Sequence, residues 1–286
     1  ENMNVIRNLL NRYVYQDWNI AIADIADDLS PVNIKWMKHS YHDRWFADPF
    51  IVDETDENYI ILVEECMLDT QKGRLARLTV TKNDCKLVKN ETILDLPTHL
   101  SFPNIIQVNG QTYMYPENGK ARNTKLYKYG KTVELCGKLS SLPLADATIF
   151  KYEDSFYMLF TIGENCNGNI LQIYRSNQPL SGYISHQEIK FDDNIARRAG
   201  NIFTWKGHLI SPAQVCSHNY GEGVSFQEIS FTGDKIQLNE IKRLYPPTKM
   251  YSEGFHTFNV FGDKVVIDGY RYGSKFLHDL YFKIRG

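Results

Sequence analysis

The chain repeats itself, and the period of the repeat restricts its fold more than any other property. Five segments share one plan of a short apolar run, a polar turn and a second apolar run. They are ADPFIVDETDENYIILVEE (47–65), SFPNIIQVNGQTYMYPE (101–117), ADATIFKYEDSFYMLFT (145–161), RAGNIFTWKGHLISPAQ (198–214) and SEGFHTFNVFGDKVVIDG (252–269). The turns are Asp56-Glu57-Asn58, Asn109-Gly110, Glu153-Asp154-Ser155, Lys206-Gly207 and Gly262-Asp263. β-prone runs on either side of such turns read as hairpins. Aligned on the hairpins, Asp48, Phe102, Asp146, Ala199 and Gly254 fall at one register position. Each hairpin is followed by room for about two more strands. RLARLTV, TKLYKYG, ILQIYRS, VSFQEIS and the terminal HDLYFKIRG supply the third strand in turn. A lone blade of this kind cannot bury both faces, so neighbours must stack. Five four-stranded units stacked around an axis make a β-propeller.

The expected fold is therefore all-β: a five-bladed β-propeller forming one domain over residues 17–286, with a short N-terminal helix in residues 1–16. Val5, Ile6, Leu9, Leu10 and Tyr13 give that helix its apolar face. DWNIAIA (17–23) is a spare strand ahead of the first unit, and it is expected to complete the last blade and close the ring. An aromatic content of 13% suits strands.

Charge narrows the function. Thirty-two Lys and Arg against 34 Asp and Glu leave a formal charge of −2, so no basic face for nucleic acid is expected. No run of about 18 apolar residues is present, so no membrane span is expected. The five cysteines are scattered without a CxxC pair, which fits neither a disulfide framework nor a zinc site and points to a reducing, cytoplasmic location. P-loop, GxGxxG and HExxH patterns are absent, so no cofactor is named and no metal site is assigned.

In a propeller the first strand of each blade lines the central channel, so side chains at its start converge from distant parts of the chain. The ring then holds Asp48, Phe102 and Asp146, with Arg198, Asn201 and His256 close by. The ends of the second strands add Glu64, Glu65, Glu117, Gln214 and Asp268. Carboxylates sharing a partly dry site push their pKa values apart, as an acid/base pair requires. Glycoside hydrolysis uses two such groups. The bland alternative is that Asp48 and Asp146 bond neighbouring backbone amides. Trp45, Phe102 and Tyr220 lie near the predicted channel mouth, where flat rings stack on sugar faces. The Arg197–Arg198 pair is suited to an anionic group.

WFADPFIV followed by YIILVEE resembles the first blade of the five-bladed furanosidase-type glycosidases, the arabinanase and β-xylosidase group. That resemblance implies a general base at Asp48, and the similar ADATIF implies an acid-orienting carboxylate at Asp146. The group's fourth blade carries a general-acid Glu in an E-G-P motif. Here the segment reads RRAGNIF, with Arg198 and Ala199 in that place. Across nearly the whole chain, FADPF…VEE, HLSFPNI…YMYPE, DATIF, RRAG…SPAQVCSHNYG and GFHTFNV…VIDGY are similar to the N-terminal propeller of the plant glucosamine inositolphosphorylceramide transferases. This resemblance implies a carbohydrate or glycoconjugate partner.

Two main readings follow. In the first, the chain is a glycoside hydrolase-like enzyme: Asp48 is base or nucleophile, Glu117 or Glu65 replaces the missing acid, and Asp146 tunes the pair. In the second, the propeller binds sugar without hydrolysing it and assists a glycosyltransferase, with Trp45, Phe102, Arg198, Asn201, His256 and Tyr220 as contacts. A protein-interaction scaffold is the third reading.

Overall fold

The computed structural model describes residues 14–274, 276–278 and 280. Two strands come first, β1 (Gln16–Ile25) and β2 (Pro31–Trp36). The first blade is β3 (Arg44–Glu54), β4 (Asn58–Met67), β5 (Lys72–Thr81) and β6 (Leu87–Leu94). The second is β7 (Ile105–Val108), β8 (Gln111–Met114), β9 (Thr124–Tyr129) and β10 (Val133–Ser140). The third is β11 (Leu144–Tyr152), β12 (Ser155–Ile162), β13 (Ile170–Ser176) and β14 (Ile184–Lys190). The fourth is β15 (Phe203–Trp205), β16 (His208–Val215), β17 (Gly223–Thr232) and β18 (Lys235–Leu244). The fifth starts with β19 (Phe258–Phe261) and β20 (Lys264–Tyr272) and is completed by β1 and β2. The five-bladed propeller that the repeat implies is the fold observed.

The N-terminal strand closes the ring as expected, with β1 antiparallel to β20 from Gln16↔Tyr272 to Asp24↔Lys264. It brings β2 with it, so the chain start supplies two strands of the last blade. This corrects the assignment of HDLYFKIRG as a third strand. Its place beside β20 belongs to β1, and His278 is helical. The rest of that segment falls mostly outside the described residues. The helix expected over residues 1–16 also falls outside them, except for residues 14–16, and Gln16 already belongs to β1. Among the described residues no helix is long and apolar enough to cross a membrane.

Apolar burial is distributed between blades. Phe46, Ile61 and Val63 of the first blade pack with Ile20, Ile22 and Val266 of the fifth. Phe50, Leu62 and Leu75 meet Phe102, Met114 and Tyr127 of the second. Similar clusters fill the junctions of blades two and three, three and four, and four and five. Removing apolar surface from water gives about 25 cal/mol per Å², so each junction is a core in its own right. The outermost strands are far more exposed, as in β10 and β18.

Around the axis, polar side chains tie each blade to the next. The Phe102 amide donates to Asp48 Oδ2 at 2.9 Å, joining blades one and two. Asn104 Nδ2 donates to the Ala147 carbonyl at 2.9 Å, and Thr148 Oγ1 to the Gly200 carbonyl at 3.2 Å. The Asn201 amide donates to Asn259 Oδ1 at 2.8 Å, and Asn259 Nδ2 to the Pro49 carbonyl at 2.9 Å, which returns to the first blade. Buried backbone groups that no ladder satisfies are thereby paired.

Candidate functional site at the propeller axis

Three of the five register residues share an unusual backbone. Asp48, Phe102 and Asp146 have φ of 52°, 45° and 44°, the left-handed region that non-glycine residues seldom enter. In blades one and three the strand register slips at the same point, between Ala47 and Phe50 and between Ala145 and Thr148. A bulge of this kind re-aims a side chain and breaks the alternation of the strand. Both aspartates are thus placed in the axial space, 4% and 2% exposed. They sense one another, since Asp146 adds to the upward push on the Asp48 pKa.

On one side of the axis, Asp48 belongs to a network with blade five. Its Oδ2 accepts from the Phe102 amide, and its Oδ1 accepts from Thr257 Oγ1 at 3.1 Å. His256 lies between two carboxylates, with Nδ1 2.8 Å from Asp268 Oδ2 and Nε2 3.6 Å from Asp48 Oδ1. Asp268 also accepts from the backbone amides of His256 and Thr257 at 3.1 and 3.0 Å, and from the Asp48 amide at 3.1 Å. Burial alone would discharge the imidazole, but the attraction of Asp268 and Asp48 outweighs it and raises the pKa to about 9. Burial pushes the Asp48 carboxyl above the usual range, and the His256 charge opposes that push. Asp48, His256 and Asp268 also offer one ligand atom each within a 4.8 Å span.

Across the axis, Asp146 is held by blades two and four. Its Oδ2 accepts from Arg197 Nε and Gln214 Nε2, both at 2.6 Å. The same guanidinium donates from Nη2 to Glu117 Oε2 at 2.9 Å, and that oxygen also accepts from the Asp146 amide at 3.1 Å. Burial moves Asp146 above the usual carboxylate range against the pull of Arg197. Asp146 Oδ1 and Gln214 Oε1 are buried without a protein partner, which leaves two acceptors for a ligand. Tyr220 lies over both halves. Its ring centroid is 5.4 Å from the His256 ring and 5.4 Å from the Arg197 guanidinium carbon. On the far side of His256, the Trp18 ring is 4.2 Å away.

The remaining sequence candidates separate by strand face. Glu64, not Glu65, joins the axial group: Glu64 Oε1 is 3.0 Å from His99 Nε2, and its charge raises the Asp48 pKa. Gly73 makes room for this contact, since a Cβ there would lie 2.5 Å from both Glu64 Oε1 and the Leu100 carbonyl. Glu65 points to the opposite face of β4, where Arg44, Arg74 and Asn90 bond it at 2.8, 2.6 and 2.6 Å. Burial works against its charge there, but those three donors hold its pKa below the usual range. The expectation of Glu65 as an acid is therefore corrected by its placement.

Arg198 is corrected in the same way. It is fully buried in the fourth blade, bonded to Ser211 Oγ, Gln227 Oε1 and the Ile195 and Ala196 carbonyls. Arg197 faces the axis instead, opposite Gln214, whose amide donates to the Arg197 carbonyl at 2.8 Å. Phe102 reaches the site through its amide, while its ring packs edge-on against Phe50 in the core. Asn201 likewise contributes its amide to the interblade belt. Trp45 is half-buried beside Trp18, 6.5 Å between ring centroids. Gln214, Asp268 and Glu64 were visible as inner second-strand positions, whereas Thr257 and His99 carried no signal in the repeat.

The fold is a five-bladed propeller of the type found in family-43 glycosidases. A thermostable family-43 glycoside hydrolase has a TM-score of 0.57 at 11% identity, over 82% of this chain and 89% of that one. A GH43 β-1,3-galactosidase has 0.55 at 13%, over 74% and 52%. The exo-β-1,3-galactanase of Phanerochaete chrysosporium has 0.54 at 9%, over 76% and 57%. These likenesses concern the fold. The family model described as glucosamine inositolphosphorylceramide transferase 1, N-terminal, matches residues 30–250, and the chain belongs to that family. The protein named glucosamine inositolphosphorylceramide transferase 1 from Oryza sativa subsp. japonica is 27% identical over 217 residues, 71% of this chain and 28% of that protein. Its Arabidopsis thaliana counterpart is 27% identical over 198 residues, 65% of this chain and 26% of that protein. The chain thus spans about a quarter of the length of these relatives.

Proposed function

We propose that this propeller recognises a glycan or glycoconjugate in its axial pocket, and that it serves sugar transfer rather than hydrolysis. The observation that carries this reading is Arg197, which reaches Asp146 and Glu117 from the fourth blade, the blade in which the glycosidase resemblance expects a general-acid Glu and the segment RRAGNIF has none. A general acid must deliver a proton to the leaving oxygen. Arg197 has none to give at neutral pH, because a guanidinium stays charged. It also engages Glu117 Oε2 and Asp146 Oδ2 as acceptors, so neither of those oxygens carries a proton to donate. What remains suits hydroxyl recognition: the free acceptors of Asp146 and Gln214, the carboxylate of Asp48 and the exposed edge of Tyr220.

The relatives are named for a sugar transferase and are several times longer. The propeller is accordingly read as a module that holds a sugar-bearing substrate or product for a transferase. Its free thiols at Cys66, Cys85, Cys136, Cys166 and Cys216 suit the reducing interior that a cytoplasmic location provides.

One observation favours hydrolysis instead: two buried aspartates whose pKa values are both raised. Asp48 would then be base or nucleophile, Glu117 the acid and Asp146 the tuning group. An assay of turnover on a panel of glycosides and glycoconjugates, with Asp48→Asn beside the parent, separates the two. Recognition predicts binding without cleavage in the parent and weakened binding in the variant. Cleavage by the parent that Asp48→Asn abolishes would establish the enzyme and overturn the reading.

A further inference from the structure

A polar cavity lies away from the axis, between blades one and five. It has a volume of about 330 Å³ and includes Asp17, Lys38, His39, His42, Tyr251 and Arg271 in its walls. We propose that this cleft binds a phosphate-type oxyanion carried by a glycoconjugate, at a subsite separate from the axial pocket.

The charge of the walls carries the argument. Lys38, Arg44 and Arg271 line the cleft against a single acid, Asp17, among the described residues, with two histidines besides. Arg44 is already engaged by Asp43 at 2.7 and 2.9 Å and by Glu65 at 2.8 Å, so it braces the wall. Arg271 uses Nε for Asp17 at 3.1 Å and lies over the Tyr251 ring, 5.0 Å from its centroid. Lys38 meets Asp84 only at 3.5 Å, and its side chain is 65% exposed. A pair that open to solvent holds a lysine weakly. Lys38, His42 and the remaining N–H groups of Arg271 are therefore the donors an oxyanion would meet.

His39 reports the field inside the cleft. Its Nδ1 is buried without a hydrogen-bond partner, and its ring is fixed edge-on against Phe46 at 5.3 Å. Burial lowers the His39 pKa; Asp17 opposes that push, and the charges of His42 and Arg271 add to it. The cleft thus sets a buried, unpartnered imidazole nitrogen beside the basic side chains of Lys38, His42 and Arg271, a donor-rich surround for an anion. With an oxyanion in place, His39 can take up a proton and donate from Nδ1. The axial pocket is the opposite case, with Asp48, Glu64, Glu117, Asp146 and Asp268 around one arginine and two histidines. The two sites thus favour different chemistry, hydroxyls at the axis and phosphate in the cleft.

Calorimetry on the full chain tests the proposal with three probes: inorganic phosphate, glucose 6-phosphate, and phosphatidylcholine vesicles with and without a phosphoinositide. Histidine NMR follows His39 in parallel. Phosphate or the sugar phosphate should bind and raise the His39 pKa, and Arg271→Gln should weaken binding about tenfold, with Lys38→Gln a second, independent loss. Binding only to the phosphoinositide vesicles, with the same dependence on Arg271, supports the cleft and assigns the source to a lipid headgroup. No binding to any probe, or binding that ignores both substitutions and leaves His39 unmoved, overturns the proposal. The proposal does not depend on the axial reading: neutral glycans failing to bind while phosphate binds would remove only the latter.

Discussion

The two halves of the axial cluster neutralise a buried aspartate by different means. Beside Asp48 the counter-charge is an imidazole, His256, clamped between Asp268 and Asp48. Beside Asp146 it is a guanidinium, Arg197, shared with Glu117. An imidazole can lose its proton in the working pH range, whereas a guanidinium cannot. One half is therefore a titratable hinge between blades one and five, and the other a permanent clamp between blades two, three and four. The two buried acids of this frame thus answer to different counter-charges, one that titrates and one that does not.

Removing the clamp should have the largest consequence. Arg197→Met leaves Asp146 and Glu117 without their shared cation, and breaking a buried pair from one side costs about 3–5 kcal/mol. Chemical denaturation should show that loss, with Arg197→Lys recovering only part of it, because an ammonium cannot reproduce the two-directional fork. If Arg197→Met proved as stable as the parent, the clamp would not be a structural element at all.

The titratable half predicts a pH dependence that the clamp does not share. His256 rises from 6.5 in the unfolded chain to about 9 in the folded one. Its contribution is complete below pH 6.5 and is lost as pH climbs through about 9. Over that window the melting temperature should fall, by an amount worth on the order of 3 kcal/mol. His256→Gln should flatten the fall, while Arg197→Lys should leave its slope in place. A steep alkaline loss that persists in His256→Gln would place the titrating group elsewhere.

Smaller effects sharpen the comparison further. Gly73→Ala inserts a methyl against the Leu100 carbonyl and the Glu64–His99 contact, and overpacking of this kind costs about 1–3 kcal/mol. Thermal melts of that variant should show the cost, together with a histidine NMR shift at His99. Thr257→Val removes one donor to Asp48 and should cost about 1 kcal/mol, read by denaturation at pH 7.

Much of this organisation was legible in the sequence because it is repetitive. The hairpin turns, the ring closure by DWNIAIA and the convergence of Asp48 and Asp146 all follow from a period counted along the chain. The facing of neighbouring residues was less legible. Counting by twos from Asp48 or Asp146 fails, because both strands bulge at that point. The sequence reading offers Glu65 as a candidate acid and Arg198 as a contact, whereas Glu64 and Arg197 are the members of each pair that reach the axis. The Arg197 contact with Glu117 spans 80 residues and the Asp48 contact with Thr257 spans 209, and no local pattern announces either. Phe102 illustrates the same limit: its register was right, yet the site uses its amide and not its ring.

A crystal structure of the protein with a bound neutral glycan from the panel tests the central claim most directly. The account predicts an uncleaved sugar at the axis, with hydroxyls within hydrogen-bond distance of Asp48, Asp146 Oδ1 and Gln214 Oε1, and with Arg197 still bridging Asp146 and Glu117. A sugar bound elsewhere on the propeller, or a cleaved product in the pocket with Arg197 swung away from both acids, would contradict it.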